Sequence, residues 1–270
     1  MVWKLSRRRD AAAMQVGVGL PRSLRPSGNK SGITCVADVP EVVLLRYAHI
    51  PKTVETVLAA FQDDPIEGYV FRPPDTNGSP RYFIYEALRR AALALSFKEY
   101  VKMRRAFTVN KGNSVVLHSP AFDDDAPHRT PSRLESLITR LSRICSTPQQ
   151  RRRAKEWQGK FTAALEKHVG PHADEFFSVD GLATHPAFQG HGYGSALMNA
   201  VSALVDEVGC RTWLGSSNPV NQVFYESFSY VAVAEIVLGD DPDYTGKPIV
   251  ALLMIREPKG KSSVCEKAAL

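Results

Sequence analysis

The clearest periodicity in this sequence follows three closely spaced glycines, Gly190, Gly192 and Gly194. Gly209 stands where the C-terminal cap of a following helix is expected. Between Gly192 and Gly209, the apolar residues recur at the spacing of one helical face: Ala196, Leu197, Ala200, Val201, Leu204, Val205 and Val208. The pattern therefore predicts an amphipathic helix that ends at residue 208, with the glycines at its N-terminus.

Apolar runs on either side predict further elements of a mixed α/β domain. Helices are expected at 52–61, 81–105 and 149–169. A further helix is expected after a capping box of Ser132 and Glu135, and a short one after residue 217. Strands are expected at 41–49, on both sides of a turn at 111–113, and at 176–184, 211–217, 230–238 and 249–255. Residues 34–258 are predicted to form one domain, between disordered tails at 1–33 and 259–270.

Composition narrows the class of protein. The 44% hydrophobic and 23% charged residues are typical of a globular protein, and no apolar run is long enough for a membrane span. The four cysteines show no C-x-x-C pairing, so neither a metal site nor a disulfide framework is expected. The acidic run Asp123–Asp125 is interpreted as a solvated loop, because no further acceptors follow at calcium-loop spacing.

Part of the net charge of +6 lies in the basic segment 1–33. We interpret this segment as a solvated tail of a cytoplasmic protein; a mitochondrial presequence is the alternative. No base-reading motif accompanies the charge, so no nucleic-acid partner is expected.

The glycines before the long helix suit an anion. The first N–H groups of a helix have no partner within it, and the helix dipole is positive there. Glycines allow a phosphate to approach the backbone closely. The spacing fits neither G-x-G-x-x-G nor a P-loop. It fits Q-x-x-G-x-G, from Gln189 to Gly194.

This segment resembles the acetyl-CoA binding motif of the GNAT superfamily of N-acetyltransferases. The similarity extends over "VDGLATHP" (179–186) and "SSNPVNQVFYESFSY" (216–230), and more broadly the chain resembles puromycin N-acetyltransferase-like small-molecule enzymes. The resemblance implies a central, mostly antiparallel mixed sheet flanked by helices, with a helical insertion before the cofactor-binding strand. One departure is Ser229, which replaces the usual glycine after the short helix, where a left-handed backbone costs serine more than glycine.

The resemblance also implies which residues hold the cosubstrate acetyl-CoA. The strand residues Leu182, Ala183 and Thr184 lie along pantetheine and supply the oxyanion donor, and Asn221 bonds pantetheine or else caps the short helix. His191 touches a phosphate or faces solvent. The expected pyrophosphate loop comprises Gln189, Gly190, His191, Gly192, Tyr193, Gly194 and Ser195.

Two catalytic groups are expected. Tyr225 is the candidate general acid for the departing thiolate, because a phenol is protonated at neutral pH; the alternative is an ordinary amphipathic helix residue. The glutamate base of histone-acetylating members falls here on Ser178, eleven residues before Gln189. Asp180, on the same strand face, is the candidate base, acting through water. The alternative is that Asp180 is only a polar residue at the rim of the site. His185 and Glu175 are the other candidates.

The acceptor is expected to be a primary amine of a small molecule, attacked directly in a ternary complex. Carboxylates and aromatics before residue 86 suit a cationic amine, and the candidate substrate-binding residues are Asp63, Asp64, Tyr69 and Tyr82. The alternatives are a protein acetyltransferase acting on lysines or N-termini, and a non-catalytic acyl-CoA-binding protein. A monomer or a homodimer is expected.

Overall fold

A computed structural model of the chain describes residues 40–121, 132–170, 173 and 176–259. Four predicted features lie outside the described residues. They are the N-terminal tail, nearly all of the C-terminal tail (residues 260–270), the acidic run Asp123–Asp125, and Glu175. No helix in the described ranges is both long and apolar enough to cross a membrane.

Seven strands form one sheet in the order β1-β2-β3-β4-β5-β7-β6. Every neighbouring pair is antiparallel except β4 and β5, which run parallel. The strands are β1 (Val42–Leu44), β2 (Ala106–Val109), β3 (Ser114–Ser119), β4 (Phe177–Thr184), β5 (Thr212–Ser216), β6 (Val231–Leu238) and β7 (Ile249–Arg256). This confirms the expected mostly antiparallel mixed sheet.

Helices cover both faces of the sheet. They are α1 (Ile50–Ala60), α2 (Pro65–Phe71), α3 (Pro80–Lys102), α4 (Arg133–Cys145), α5 (Pro148–His168), α6 (Tyr193–Val208) and α7 (Gln222–Glu226). The apolar stripe of α6 packs on one face, against residues such as Val179, Leu214 and Met254. The opposite face packs against α1 and α3 at one end of the sheet and against α2 and α5 at the other.

Two element predictions need correction. The strand predicted at 41–49 is wrong in its second half, because a 3-10 turn at Tyr47–His49 leads into α1 two residues earlier than expected. Pro51 in the first turn suits this start, since the missing N–H of proline has no partner there anyway. Helix α2 was not predicted, although Asp64 before Pro65 is a good N-cap: its carboxylate accepts from the amides of Ile66 and Glu67 at 3.0 and 3.1 Å.

The strands β4 and β5 separate and create the opening for a site. They pair only from Phe177 to Val179 on β4. Beyond that point β4 carries one additional residue, Asp180, because Val179 pairs with His118 whereas Gly181 pairs with Leu117. A bulge of this kind bends and twists its strand. The ends of β4 and β5 therefore diverge, and polar backbone along β4 is left open.

Candidate active site

A cleft of about 770 Å³ occupies the gap between the diverging strands. Its lining includes nearly every residue expected to hold the cosubstrate: Leu182, Ala183, Thr184, Gln189, Gly190, Gly192, Tyr193, Gly194, Ser195 and Asn221. Tyr225, Asp63 and Asp64 also line it. The structure therefore brings the strand, the glycine loop (residues 189–194) and the short helix α7 to one place.

The glycine loop presents free backbone N–H groups to this cleft. Gly190 and Gly192 have φ of +78° and +74°, conformations that suit glycine. The first hydrogen bond of α6 joins the Ala196 N–H to the Gly192 carbonyl at 2.9 Å, so the amides of residues 193–195 have no partner within the helix. Gly192 is the N-cap and makes no side-chain capping bond. The loop thus has the backbone geometry that suits an anion, and the anion site itself stays a prediction.

The edge of β4 offers further donors. The His185 N–H donates to the Asn113 carbonyl at 2.9 Å. Because bonded and non-bonded pairs alternate along an antiparallel ladder, the N–H groups of Thr184 and Leu182 point away from β3. They point toward the cleft that both residues line.

Tyr225 stands at the boundary between two cavities. It lines the large cleft and a second, smaller cavity on the side of α2 and α5. Its ring packs edge-on against Phe224 and Tyr230, with centroids 5.2 and 6.3 Å away. Burial raises the pKa of Tyr225 to about 12. The phenol is therefore a protonated group at neutral pH, placed where the two cavities meet.

The second cavity is small, about 130 Å³, and its walls combine carboxylates with aromatic rings. Asp64, Glu67 and Asp180 supply the carboxylates, and none of the described residues that line it is basic. The aromatic side chains are Phe61, Trp157, Phe161, Trp213 and Tyr225. An acidic and aromatic cavity favours a cationic ligand.

Asp180 is held at the β4 bulge by three hydroxyl groups. Its carboxylate accepts from Tyr100 at 2.8 Å, from Ser119 at 2.6 Å and from Ser178 at 2.8 Å. The contact with Ser178 confirms that both side chains lie on one face of the strand. These bonds orient the carboxylate.

The other two carboxylates of the second cavity have structural partners. Asp64 caps α2 and accepts from the Ser217 hydroxyl, so it ties the α1–α2 turn to the end of β5. Glu67 is buried and pairs with Arg89 at 2.9 Å. Burial raises the pKa of Glu67, and the nearby Arg89 opposes that rise.

Several predicted residues lie away from both cavities. Tyr69 is buried, donates to Glu156 at 2.5 Å and stacks on the Arg153 guanidinium, and Tyr82 stacks on Tyr85 instead of facing either cavity. His191 is exposed and bonds its own loop at the Gln189 carbonyl, 2.9 Å away. His185 accepts from the Ala187 N–H at 3.2 Å.

Sequence reasoning missed the aromatic wall and one cap. Trp157 and Phe161 lie four residues apart on α5, with buried Leu165 continuing the stripe. That spacing was the available signal, but the charged residues between them obscured it. In the lining of the large cleft, Asn218 accepts from the Val220 N–H at 3.1 Å and caps the turn. Asn221 makes no capping bond and lines both cavities.

Comparison with known proteins agrees with this geometry. Residues 159–232, which include β4, the glycine loop, α6, β5 and α7, match the family model "Acetyltransferase (GNAT) domain". Arylalkylamine N-acetyltransferase 2 from Aedes aegypti shares the fold with a TM-score of 0.51 at 15% identity, over 80% of this chain and 97% of that chain.

Two further structures match with lower scores. "Histone acetyltransferase HPA2 and related acetyltransferase" from Corynebacterium glutamicum has a TM-score of 0.47 at 18% identity, over 84% of this chain and 99% of that chain. The polyamine N-acetyltransferase of Drosophila melanogaster has a TM-score of 0.47 at 13% identity, over 80% of this chain and 98% of that chain.

A search of curated proteins returned no match, and the nearer resemblance to puromycin N-acetyltransferase-like enzymes is not confirmed. Family match, glycine loop and diverging strands agree with one another. The chain carries a GNAT acetyltransferase domain over residues 159–232, and this domain supports an acyltransferase activity.

Proposed function

We propose that this enzyme transfers an acetyl group from acetyl-CoA to the primary amine of a small cationic molecule, by direct attack in a ternary complex. One observation carries the proposal: the anion-binding cleft and the acidic, aromatic cavity meet at Tyr225 and share the lining residues Phe61, Asp64, Leu182, Ser217 and Asn221. A thioester that enters from one side and an amine that enters from the other would meet at this junction.

The large cleft suits acetyl-CoA. The free amides at the start of α6 donate hydrogen bonds to a pyrophosphate, and the open edge of β4 runs alongside the pantetheine arm as an added strand would. In this arrangement the N–H groups of Leu182 and Thr184 are the donors available to the thioester carbonyl. Donors fixed before the reaction stabilise the oxyanion that forms.

Transfer requires two proton movements. The amine nitrogen attacks the thioester carbon, and the carbon–sulfur bond breaks as the tetrahedral intermediate collapses. Tyr225 donates its proton to the departing thiolate and regains one from solvent. The proton lost by the amine passes through water to Asp180, which lines the second cavity. We call this second cavity the acceptor cavity, because it would hold the amine.

The acceptor cavity defines the amine class. The Asp180 carboxyl group has no basic residue beside it among the described lining, and the surrounding rings offer cation–π and apolar contact. A volume of about 130 Å³, closed on one side by Trp157 and Phe161, suits a compact arylalkyl or alkyl amine. A lysine on a protein surface or an N-terminus would need an open groove instead.

A matched set of acceptors tests this function. Thiol release from acetyl-CoA is measured with 2-phenylethylamine, with phenylalanine, which adds a carboxylate, and with 2-phenylethanol, which lacks the amine. We expect kcat/KM for 2-phenylethylamine to exceed that for phenylalanine at least tenfold, since an added anion would face Asp180, and we expect no release with the alcohol.

Other results would select the alternatives. Faster release with a lysine peptide than with any small amine would favour a protein acetyltransferase. Tight acetyl-CoA binding with no release for any amine would favour a non-catalytic acyl-CoA-binding protein.

A further inference from the structure

A second depression adjoins the glycine loop on the side away from the acceptor cavity. It has a volume of about 510 Å³ and is formed by the start of β1, the segment before α1, the β2–β3 turn and Tyr193. We call it the basic basin, because Arg46, His49 and Lys111 line it. Tyr193, the first residue of α6, lines both the basin and the cofactor cleft. The basin is therefore next to the expected pyrophosphate site.

The basin gathers cations that form no ion pair with any of the described residues. Within the part of the chain that the structure describes, Arg46 and Lys111 form no ion pair, and neither does Lys52 on the first turn of α1. The acidic member of the described lining, Glu41, is also unpaired. The basin thus keeps an excess of positive charge, whereas arginines elsewhere, such as Arg89 and Arg256, are paired.

The three cations Arg46, Lys111 and Lys52 all lie close enough to His49 to affect it. The pKa of His49 is lowered by burial and by the positive charges of Arg46, Lys111 and Lys52. Its Nδ1 is buried and has no hydrogen-bond partner among the described residues. Like charges gathered around one ring repel each other unless an anion lies between them.

The turn that carries Lys111 is held in a fixed conformation. Asn110 and Lys111 both adopt left-handed backbone angles, with φ of 49° and 53°. The Thr56 hydroxyl donates to the Gly112 carbonyl at 2.7 Å, and a Cβ on Gly112 would lie 2.9 Å from Thr53 Oγ1. Backbone strain of this kind persists when the surroundings fix it. The turn therefore fixes the backbone of Lys111 in the lining of the basin.

We propose that the basic basin binds the 3′-phosphate of coenzyme A. This inference rests on the proposed function, because it needs the pyrophosphate at the glycine loop. The 3′-phosphate is a phosphomonoester with nearly two negative charges, and it is attached to the ribose that follows the pyrophosphate. From a pyrophosphate at residues 193–195, the ribose reaches the basin past Tyr193, and the guanidinium of Arg46 and the ammonium of Lys111 contact the phosphomonoester.

The test compares acetyl-CoA with 3′-dephospho-acetyl-CoA by isothermal titration calorimetry. The proteins are the wild type, the double variant Arg46→Gln/Lys111→Gln, and Lys155→Gln as a control for loss of an exposed, unpaired lysine on α5. Glutamine keeps side-chain length and leaves the backbone demand at Lys111 unchanged. Two exposed charge contacts of about 0.7 kcal/mol each total about 1.4 kcal/mol, which corresponds to a roughly tenfold preference for the 3′-phosphate.

We expect the wild type and the Lys155→Gln control to bind acetyl-CoA about tenfold more tightly than the dephospho form, and the double variant to bind both forms nearly equally. Equal binding of both forms by the wild type would overturn the inference while leaving the proposed function intact. So would a preference that survives in the double variant. If inorganic phosphate saturates the basin without changing acetyl-CoA affinity, the basin serves a separate anion and the inference is again wrong. If the folded wild type binds neither nucleotide, the proposed function itself fails.

Discussion

Replacement of Gly192 by alanine should separate a backbone effect from a ligand effect. Gly192 and Gly209 lie at opposite ends of α6 with nearly the same left-handed φ, +74° and +73°. An added methyl group therefore strains the backbone equally at both positions, but only residue 192 borders the cofactor cleft. Gly209→Ala is the matched control.

The expected magnitudes follow from this geometry. A left-handed conformation costs a residue with a Cβ about 1–2 kcal/mol, and the stiffer unfolded chain offsets about 0.4–1 kcal/mol of that. Each variant should then lose about 1 kcal/mol of stability, which lowers Tm by about 2–4 °C for a domain of this size.

Binding should distinguish the two variants. No protein atom lies within 4 Å of an ideal Cβ at Gly192, so the methyl group meets nothing until a pyrophosphate approaches. Loss of even one charge-assisted hydrogen bond from the loop is worth about 1.5–3 kcal/mol, or roughly a 10- to 150-fold weaker Kd.

Thermal unfolding and calorimetric titration with acetyl-CoA measure the two effects separately. We expect both variants to melt at similar temperatures and only Gly192→Ala to bind acetyl-CoA weakly. Equal acetyl-CoA affinity in the two variants would refute the assignment of the pyrophosphate to this loop.

Three further changes test the catalytic groups and the fold. Tyr225→Phe should lower kcat roughly 100-fold with unchanged acetyl-CoA affinity. Because the pKa of Tyr225 is raised to about 12, the kcat of the wild-type enzyme should not decline between pH 7 and about 10. A decline near pH 8 would contradict the role of Tyr225 as general acid. Asp180→Asn should slow amine acetylation at neutral pH, and the rate should recover at higher pH as the amine deprotonates in solution. A loss of rate that does not depend on pH would indicate that Asp180 only anchors the amine. Ser229→Gly should raise the free energy of unfolding by about 0.5–1 kcal/mol in denaturant titrations, because Ser229 has a left-handed φ of 68°. A less stable variant would show that the serine side chain stabilises the fold by more than the backbone strain costs.

The sequence predicted the parts of the site that depend on local geometry. The stripe from Ala196 to Val208 and the glycines at its ends predicted one amphipathic helix with a glycine at each end, and the structure has this helix. The left-handed position of Ser229 was also predictable, since it stands where the family pattern has glycine.

The remaining features arise from contacts between distant segments. The bulge at Asp180 depends on the register of β4 against β3, and its hydroxyl partners come from α3 and β3 as well as from β4. Trp157 joins Trp213 in one cavity only after α5 packs across the sheet. No local pattern distinguishes Tyr69, which serves the core, from Phe61, which lines both cavities.

The proposed acetyl transfer is tested most directly by calorimetric titration of acetyl-CoA into the wild-type protein, with thiol release measured in the same sample after addition of 2-phenylethylamine. We expect saturable binding at one site per chain, followed by thiol release and formation of an N-acetylated amine. Folded protein that binds no acetyl-CoA, or that binds it and releases no thiol with this amine or any other small cationic amine, would contradict the proposed acetyl transfer.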